Sequence, residues 1–170
     1  IAELIPGNGY YTRMLSRLIG PRGQIYPIVP YVGANPQIVR EQGKDARSTT
    51  PIAAALAVQD IADYRNVTVL WENLGQYGGH MSTPVQLDAV LSEDTYHLLH
   101  NAGTGKIDAA KLNKAIFAAL KPGGVFVVSD FAAAKGAGFT QTETLQRAEA
   151  DAVKTEILAA GFAQIGRAHV

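Results

Sequence analysis

The chain has 170 residues, with 15 Lys and Arg against 15 Asp and Glu, so its formal net charge at pH 7 is zero. Hydrophobic residues make up 47% of the chain, and cysteine is absent. This composition predicts one globular domain with a buried core and excludes disulfides and thiolate metal sites. A neutral chain argues against a broad nucleic-acid-binding surface. No apolar run reaches the roughly 18 residues of a membrane-spanning helix. We therefore expect neither a nucleic acid nor a membrane as a partner. The sequence does not indicate an oligomeric state.

The first part of the chain alternates short apolar runs with helical patterns. A buried strand is predicted at 2–5, and after "PGNG" an amphipathic helix at 11–19. The apolar face predicted for that helix consists of Tyr11, Met14, Leu15, Leu18 and Ile19. "GPRG" ends the helix, and a second strand is predicted at 24–29.

Two helices and a third strand are predicted next. Asn35-Pro36 and Thr50-Pro51 are typical helix starts, because proline is tolerated in the first turn. β-Branched residues predict a third strand at 66–71, before a glycine-rich loop.

The rest of the chain continues the alternation. A fourth strand is predicted at 87–92, a helix at 108–120 and, after the turn Lys121–Gly124, a fifth strand at 125–131. A long helix is predicted at 142–160, with Leu145, Ala148, Ala152, Ile157 and Leu158 on its apolar side. Because strands alternate with helices, we predict an α/β fold: a Rossmann-like, doubly wound, mostly parallel sheet flanked by helices.

Both ends of the chain are interpreted as truncated. The sequence starts inside a predicted strand, and the last six residues, "IGRAHV", match one reading frame of a common sequencing-library adapter. We therefore assign the domain to residues 1–163 and treat 164–170 as a non-native tail. A cytoplasmic location is the default expectation, and an export signal on a missing N-terminal segment is the alternative. A truncated chain could also be inactive even if the full-length protein is an active enzyme.

The segment Glu3–Thr12, "ELIPGNGYYT", is the most informative motif. In open α/β sheets, ligands bind beyond the carboxyl ends of the strands, where the strand order reverses. Gly7 and Gly9 would let the backbone approach a ligand there, because no Cβ intervenes. Glu3 could accept hydrogen bonds from a ligand amine. By itself, the pair of glycines is also compatible with a plain tight turn.

Further segments complete a recognisable pattern. "LDAVLSEDTYHLL" brings polar residues to the tip of strand four, and "AIFAALKPGGVFVVSDF" reads as helix, turn and strand. Together with "AELIPGNGYYTRMLSRLIGPRGQIY", they resemble class I methyltransferases that use S-adenosylmethionine (SAM), in particular a bacterial group often labelled "predicted methyltransferase". The resemblance extends over about residues 2–162 and implies SAM as the cofactor. The neutral charge favours a small molecule over a nucleic acid as the methyl acceptor.

The resemblance implies a cofactor site around the first turn. The residues that match the family's first motif are Glu3, Pro6, Gly7, Gly9 and Thr12. In the family, the glycines bring the backbone against the methionine part of SAM, and the acid lies near its amino group. Asn8 lies in the same turn, and Tyr10 or Tyr11 could face the sulfonium cation, although Tyr11 fits a core position as well.

The other predicted cofactor residues follow later strands. Many family members carry an acid after strand two that holds the ribose hydroxyls, but this chain has Pro30 there. Glu72 and Asn73, after strand three, are predicted to border the adenine pocket or to lie in an ordinary solvated loop. Ser92, at the tip of strand four, completes the predicted set.

The residues after strand four are the candidates for chemistry. If they form a helical turn, Glu93, Tyr96, His97 and His100 share one face. Methyl transfer mainly requires in-line alignment, and it needs a base only when the acceptor carries a proton. We predict His97 or Glu93 as a base or positioning group and Tyr96 as a pocket-lining residue; a purely structural, hydrogen-bonded role for His97 is equally compatible.

No metal ion is expected in this cluster. Glu93, Asp94 and His97 are possible ligands by residue type, but the ligand set of metal-dependent methyltransferases is not recognisable. Asp130, at the end of strand five, is interpreted as a turn or capping residue.

Two other functions stay open at this point. A non-catalytic SAM-binding or scaffold domain would keep the first-turn glycines without needing Glu93 or His97. A nicotinamide-dependent oxidoreductase would need a third glycine in the first turn and an acid after strand two, and the sequence has neither.

Overall fold

A parallel five-stranded sheet forms the centre of the molecule. The computed structural model describes residues 1–30, 62–72, 74, 81–102 and 107–166. The sheet has the order β3-β2-β1-β4-β5, and every described pairing in it is parallel. Its strands are β1 (Ala2–Leu4), β2 (Tyr26–Pro30), β3 (Leu70–Glu72), β4 (Leu87–Glu93) and β5 (Leu120–Ser129). This confirms the predicted Rossmann-like architecture.

Helices flank the sheet. They are α1 (Tyr10–Ile19), α2 (Ala109–Ala119), α3 (Thr142–Leu145) and α4 (Ala150–Leu158), with 3₁₀ helices at Ala62–Tyr64 and Tyr96–His100. The helices predicted to start at Asn35 and Thr50 fall in 31–61, outside the described residues. Among the described helices, none is long and apolar enough to cross a membrane.

The strand order reverses beside β1. From β1 the chain adds β2 and then β3 on one side, and afterwards β4 and β5 on the other. The carboxyl ends of β1 and β4 therefore flank the crevice in which sheets of this type bind ligands. The main core packs residues such as Leu4, Ile28 and Val90 of the sheet against Leu112 and Ile116 of α2.

The buried face of α1 differs from the predicted face. Met14 and Leu18 are 44% and 77% exposed, whereas Thr12 and Ser16 are buried. Polar partners select this face, because the Thr12 hydroxyl donates to Glu3 and the Ser16 hydroxyl donates to an amide side chain before β3. Leu15 and Ile19 of the predicted face do pack against a core cluster. The prediction was wrong for Met14 and Leu18, because two buried polar groups need the hydroxyls as partners.

The Lys-Pro-Gly-Gly segment is an irregularity inside β5 and not a turn before it. Leu87 of β4 pairs with Leu120 of β5, and the next pair is Ala89 with Val125, so β5 contains extra residues between the two pairs. Gly123 has a left-handed φ of 81° within this irregularity, a conformation that suits glycine. Regular pairing resumes where the fifth strand was predicted to begin.

The long helix predicted at 142–160 is in fact two helices, α3 and α4, so that prediction was wrong. Gln146 has a φ of 53° at the end of α3. The Glu149 carboxylate accepts hydrogen bonds from the N–H groups of Gly136 and Gly138 at 2.9 and 2.7 Å. These bonds to loop backbone hold the break in place, and apolar spacing along the chain carries no sign of them.

Candidate active site

The first turn joins β1 to α1 at the point of reversal. Gly7 and Gly9 have φ values of 53° and 72°, in the left-handed region that glycine adopts without a steric clash. A Cβ built on Gly7 would have no atom of the described residues within 4 Å, so these residues leave the space beside this part of the backbone open. Asn8 braces the turn by accepting a hydrogen bond from the N–H of Tyr10 at 3.0 Å. Pro6 is buried, and its carbonyl accepts from the N–H of Gly9 at 2.8 Å.

Glu3 lies beneath the first turn, with only 3% of its surface exposed. Burial raises the pKa of Glu3 to about 7, while the Thr12 hydrogen bond and the charge of Arg13 act in the opposite direction. A buried carboxylate is costly unless a positive charge or several donors compensate it. A cationic group close to this carboxylate would therefore stabilise its ionised form.

Strand two ends without an acid, but the neighbouring strand β3 ends in one, Glu72. In the parallel register, Pro30 of β2 lies directly opposite Glu72 of β3. The Glu72 side chain is buried and accepts a hydrogen bond from the N–H of Ser82 at 2.9 Å. Asn73 lies outside the described residues. Tyr10 is 59% exposed on the first turn of α1.

The segment after β4 folds back against β1. Asp94 has a φ of 52°, and its N–H donates to the Ser129 carbonyl at 2.8 Å. The Thr95 hydroxyl donates to the carbonyl of Leu4 at 3.3 Å and lies 3.0 Å from the hydroxyl of Ser92, which is fully buried. These contacts hold residues 94–100, which we call the corner, against the carboxyl end of β1.

His97 forms a close pair with Asp130. Its Nδ1 lies 2.9 Å from Oδ1 and 3.1 Å from Oδ2 of Asp130, and its backbone N–H donates to Oδ2 at 2.8 Å. Both side chains are buried, at 3% and 7% exposure. Asp130 also accepts from the N–H of Phe131 at 2.8 Å. The interpretation of Asp130 as a turn residue missed its contact with His97, although its place after an apolar strand is the same signal that pointed to Glu93.

A tyrosine of α1 forms a hydrogen bond with Glu93. The Tyr11 hydroxyl donates to Oε1 of Glu93 at 3.0 Å, and this bond raises the pKa of Tyr11. The contact joins the first helix to the end of β4. It places Tyr11 at the crevice and not in the core.

Tyr96 is fully buried, and its hydroxyl is held inside the structure. It donates to Oε2 of Glu156 at 2.8 Å and accepts from Nδ2 of Asn113 at 2.7 Å. Burial raises the pKa of Tyr96 strongly. His100 meets the same Glu156 oxygen through Nε2 at 3.0 Å. These two side chains anchor the corner to α2 and α4.

The predicted common face of the four residues after strand four was wrong. Glu93 ends β4, and the left-handed backbone of Asp94 separates it from the 3₁₀ helix that follows. Helical spacing therefore does not apply across this point. His97 faces Asp130, whereas Tyr96 and His100 meet Glu156.

A second carboxylate lies close to the His97–Asp130 pair. Asp94, His97 and Asp130 each offer one oxygen or nitrogen atom, and these atoms lie within 4.8 Å of one another. The pKa of Asp94 is raised, first by partial desolvation and then by the charge of Asp130. Asp94 is exposed, and exposed acidic groups are common without a metal ion, so the cluster by itself identifies no metal site. Its third member is Asp130 and not Glu93, which was a possible ligand by residue type.

Solved structures that superpose on this chain include SAM-dependent methyltransferases. A SAM-dependent methyltransferase from Aquifex aeolicus superposes with a TM-score of 0.63 at 18% identity, over 98% of this chain and 72% of that one. A glycopeptide N-methyltransferase in complex with SAM gives a TM-score of 0.59 at 16% identity, over 97% and 71% of the two chains. The chain has the class I methyltransferase fold. No protein-family model and no curated protein sequence matches it.

One further methyltransferase is aligned over only half of its own length. An arsenic(III) SAM methyltransferase from Chlamydomonas reinhardtii gives a TM-score of 0.58 at 16% identity. The alignment covers 94% of this chain but only 50% of that methyltransferase. At these identities the shared property is the methyltransferase fold, and function has to be argued from the site.

Proposed function

We propose that this chain is the cofactor-binding part of an enzyme that transfers a methyl group from SAM to a small-molecule acceptor. The observation that carries the proposal is the space that the described residues leave open beside the Gly7 backbone, in the turn that follows the strand of the buried Glu3 and lies at the reversal of the strand order. SAM supplies an activated methyl group on a sulfonium ion, so the protein's main tasks are binding and alignment.

The first turn would hold the methionine part of the cofactor. Gly7 and Gly9 allow close approach of the backbone, and Asn8 keeps the turn in shape through its bond to the N–H of Tyr10. The ammonium group would meet Glu3, whose burial disfavours its charge unless a cation is bound nearby. Thr12 holds the other side of this carboxylate.

The acid for the sugar hydroxyls is proposed to be Glu72. Strand two ends in Pro30, which offers no side-chain hydrogen bond, and the residue paired with it is Glu72. One Glu72 oxygen accepts from the N–H of Ser82, and a carboxylate has further acceptor capacity. Ser92 is proposed to stabilise the corner after β4 through the hydrogen bond between its hydroxyl and that of Thr95.

The acceptor would lie beside the corner after β4. His97 and Glu93 are the predicted base or positioning groups there, and Tyr96 fits a supporting role because its ring is fully buried. The neutral net charge of the chain favours a small molecule as the acceptor.

Calorimetric titration of SAM into the 170-residue chain tests the proposal, with NAD as the comparison ligand. We expect saturable binding of SAM and none of NAD. Gly7→Ala should weaken SAM binding at least tenfold, because the new Cβ would enter the space in which the ligand lies against the backbone.

Gly20→Ala is the matched control for that variant. Gly20 also has a positive φ, 69°, and open space around its Cβ position, but it lies at the far end of α1. The alanine at Gly20 therefore carries backbone strain of its own, because a φ of 69° with a ψ of −175° is a conformation that essentially only glycine adopts. Equal losses of affinity in both variants, or absence of SAM binding by folded protein, would contradict the proposal.

A further inference from the structure

We propose that Asp130 is a positioning residue that makes His97 the general base of the reaction. The methyl acceptor then belongs to the class whose reacting atom carries a proton at neutral pH, namely a hydroxyl or an ammonium group. This inference rests on the proposed function and adds to it the acceptor class and the role of Asp130.

The geometry around Asp130 leaves its carboxylate no freedom to turn. Three donors surround it: the backbone N–H groups of His97 and Phe131 at 2.8 Å each, and the His97 ring. These donors arrive on both oxygens, so the carboxylate is fixed at the end of β5. A fixed, nearly buried carboxylate orients the imidazole that it meets.

The hydrogen-bond chemistry determines which ring nitrogen of His97 carries the proton. An ionised carboxylate only accepts hydrogen bonds. The Nδ1 of His97 lies 2.9 and 3.1 Å from the two Asp130 oxygens, so Nδ1 must be the donor. In the neutral imidazole, the lone pair is then on Nε2, for which the described part of the chain supplies no hydrogen-bond partner. This is the arrangement of a general base with an orienting acid.

Glu93 accepts from the Tyr11 hydroxyl through Oε1 and keeps further acceptor capacity. The other described histidine is already engaged. His100 uses its Nε2 to meet Glu156, and its ring stacks on Phe139 with 3.5 Å between centroids. Of the histidines that the structure describes, His97 is therefore the one whose Nε2 is available.

Among the described residues, two carboxylates lie close to the His97 ring. Asp130 contacts the ring, and Asp94 lies within the same 4.8 Å cluster. These carboxylates disfavour an anionic acceptor beside the ring, which fits an acceptor that arrives with its proton.

The proposed step balances without a further reactant. The acceptor proton moves to Nε2 of His97, and the electron pair of the broken O–H or N–H bond stays on the acceptor atom. A lone pair of that oxygen or nitrogen then forms the bond to the methyl carbon. The carbon–sulfur bond breaks, and its electron pair stays on sulfur, which becomes a neutral thioether. The imidazolium afterwards releases its proton to solvent.

The first experiment needs no acceptor. Long-range ¹H–¹⁵N NMR of the histidine-labelled 170-residue chain reports which ring nitrogen of His97 is protonated. We expect protonation at Nδ1 alone once the ring is neutral, and loss of that preference in Asp130→Asn. Glu156→Gln is the matched control, since it removes the carboxylate of the other histidine pair and should leave the His97 signals unchanged.

The second experiment uses three methyl acceptors as probes: catechol, benzylamine and 2-mercaptoethanol. His97→Asn keeps a donor for Asp130 but has no basic nitrogen, so stability and SAM affinity should be preserved. We expect kcat with catechol or benzylamine to fall by about 10²–10⁴, with KM changing little, and kcat with the thiol to fall far less at a pH at which it ionises.

Several results would overturn the inference. They are protonation of His97 at Nε2, an unchanged tautomer in Asp130→Asn, equal losses of kcat for all three probes, or no transfer to catechol and benzylamine by SAM-bound protein. Loss of activity in EDTA that Mg²⁺ restores would assign the cluster to a metal ion instead. Failure to bind SAM would contradict the proposed function, whereas the NMR result stands independently of it.

Discussion

At the scale of single residues, Glu3 links the first turn to pH. Its pKa is about 7 in the folded chain against 4.5 for an ordinary glutamate, with burial as the main cause. A raised carboxyl pKa means that stability is fully present below about pH 4.5 and is lost as the pH rises through 7. We expect the stability of Glu3→Gln relative to the parent chain to increase by about 3 kcal/mol from pH 4 to pH 8, measured by urea unfolding without ligand.

Glu149 provides a control of opposite sign. Hydrogen bonds from the N–H groups of Gly136 and Gly138 lower the pKa of Glu149. Its contribution to stability is present at neutral pH and is lost as the pH falls through its lowered pKa. Glu149→Gln should therefore cost stability at neutral pH, and this cost should disappear at low pH. If both variants followed the same pH trend, the assignment of the high-pH loss to Glu3 would be wrong.

At the scale of elements, α1 is held by a side chain from outside it. Asn66 donates through Nδ2 to the carbonyls of Ser16 and Gly20, both at 2.9 Å, at the end of the helix. Aspartate has nearly the same shape but no donor, so Asn66→Asp leaves these carbonyls without a partner and adds a nearly buried charge. We expect a loss of about 2–4 kcal/mol in urea unfolding.

Ser16→Ala is the comparison for that variant. It removes only the hydroxyl bond to Asn66 and should cost about 1 kcal/mol. Equal costs for the two variants would mean that the helix-end carbonyls do not depend on Asn66. Because α1 begins at the first turn, both variants also test how firmly that turn is held.

The elements also show how far the sequence could predict the structure. Apolar runs and turn residues located all five strands and α2, because a buried parallel strand needs a continuous apolar run. They failed for the buried face of α1 and for the break at Gln146, where polar side chains with distant partners decide the backbone. The pairing of His97 with Asp130 joins residues 33 positions apart, and only the sheet register brings them together.

At the scale of the whole molecule, ligand binding and stability should be coupled through Glu3. A ligand that binds only the folded state stabilises it by about 2.7 kcal/mol at 100 times its Kd. For a chain of this length, that shift corresponds to roughly 5–10 °C in the unfolding midpoint. We expect this increase with SAM, and none with NAD, in a thermal melt near pH 8.

The pH dependence of that shift distinguishes the proposed ammonium contact from binding elsewhere. With no ligand bound, the ionised Glu3 carboxylate destabilises the fold at high pH; a bound ammonium compensates that charge, so the shift at fixed SAM concentration should grow from pH 6 to pH 8. In Glu3→Gln the shift should be smaller and independent of pH over this range. A shift that is equal in both chains, or that shrinks as the pH rises, would place the cofactor's amino group away from Glu3 and would require a different orientation of the ligand on the first turn.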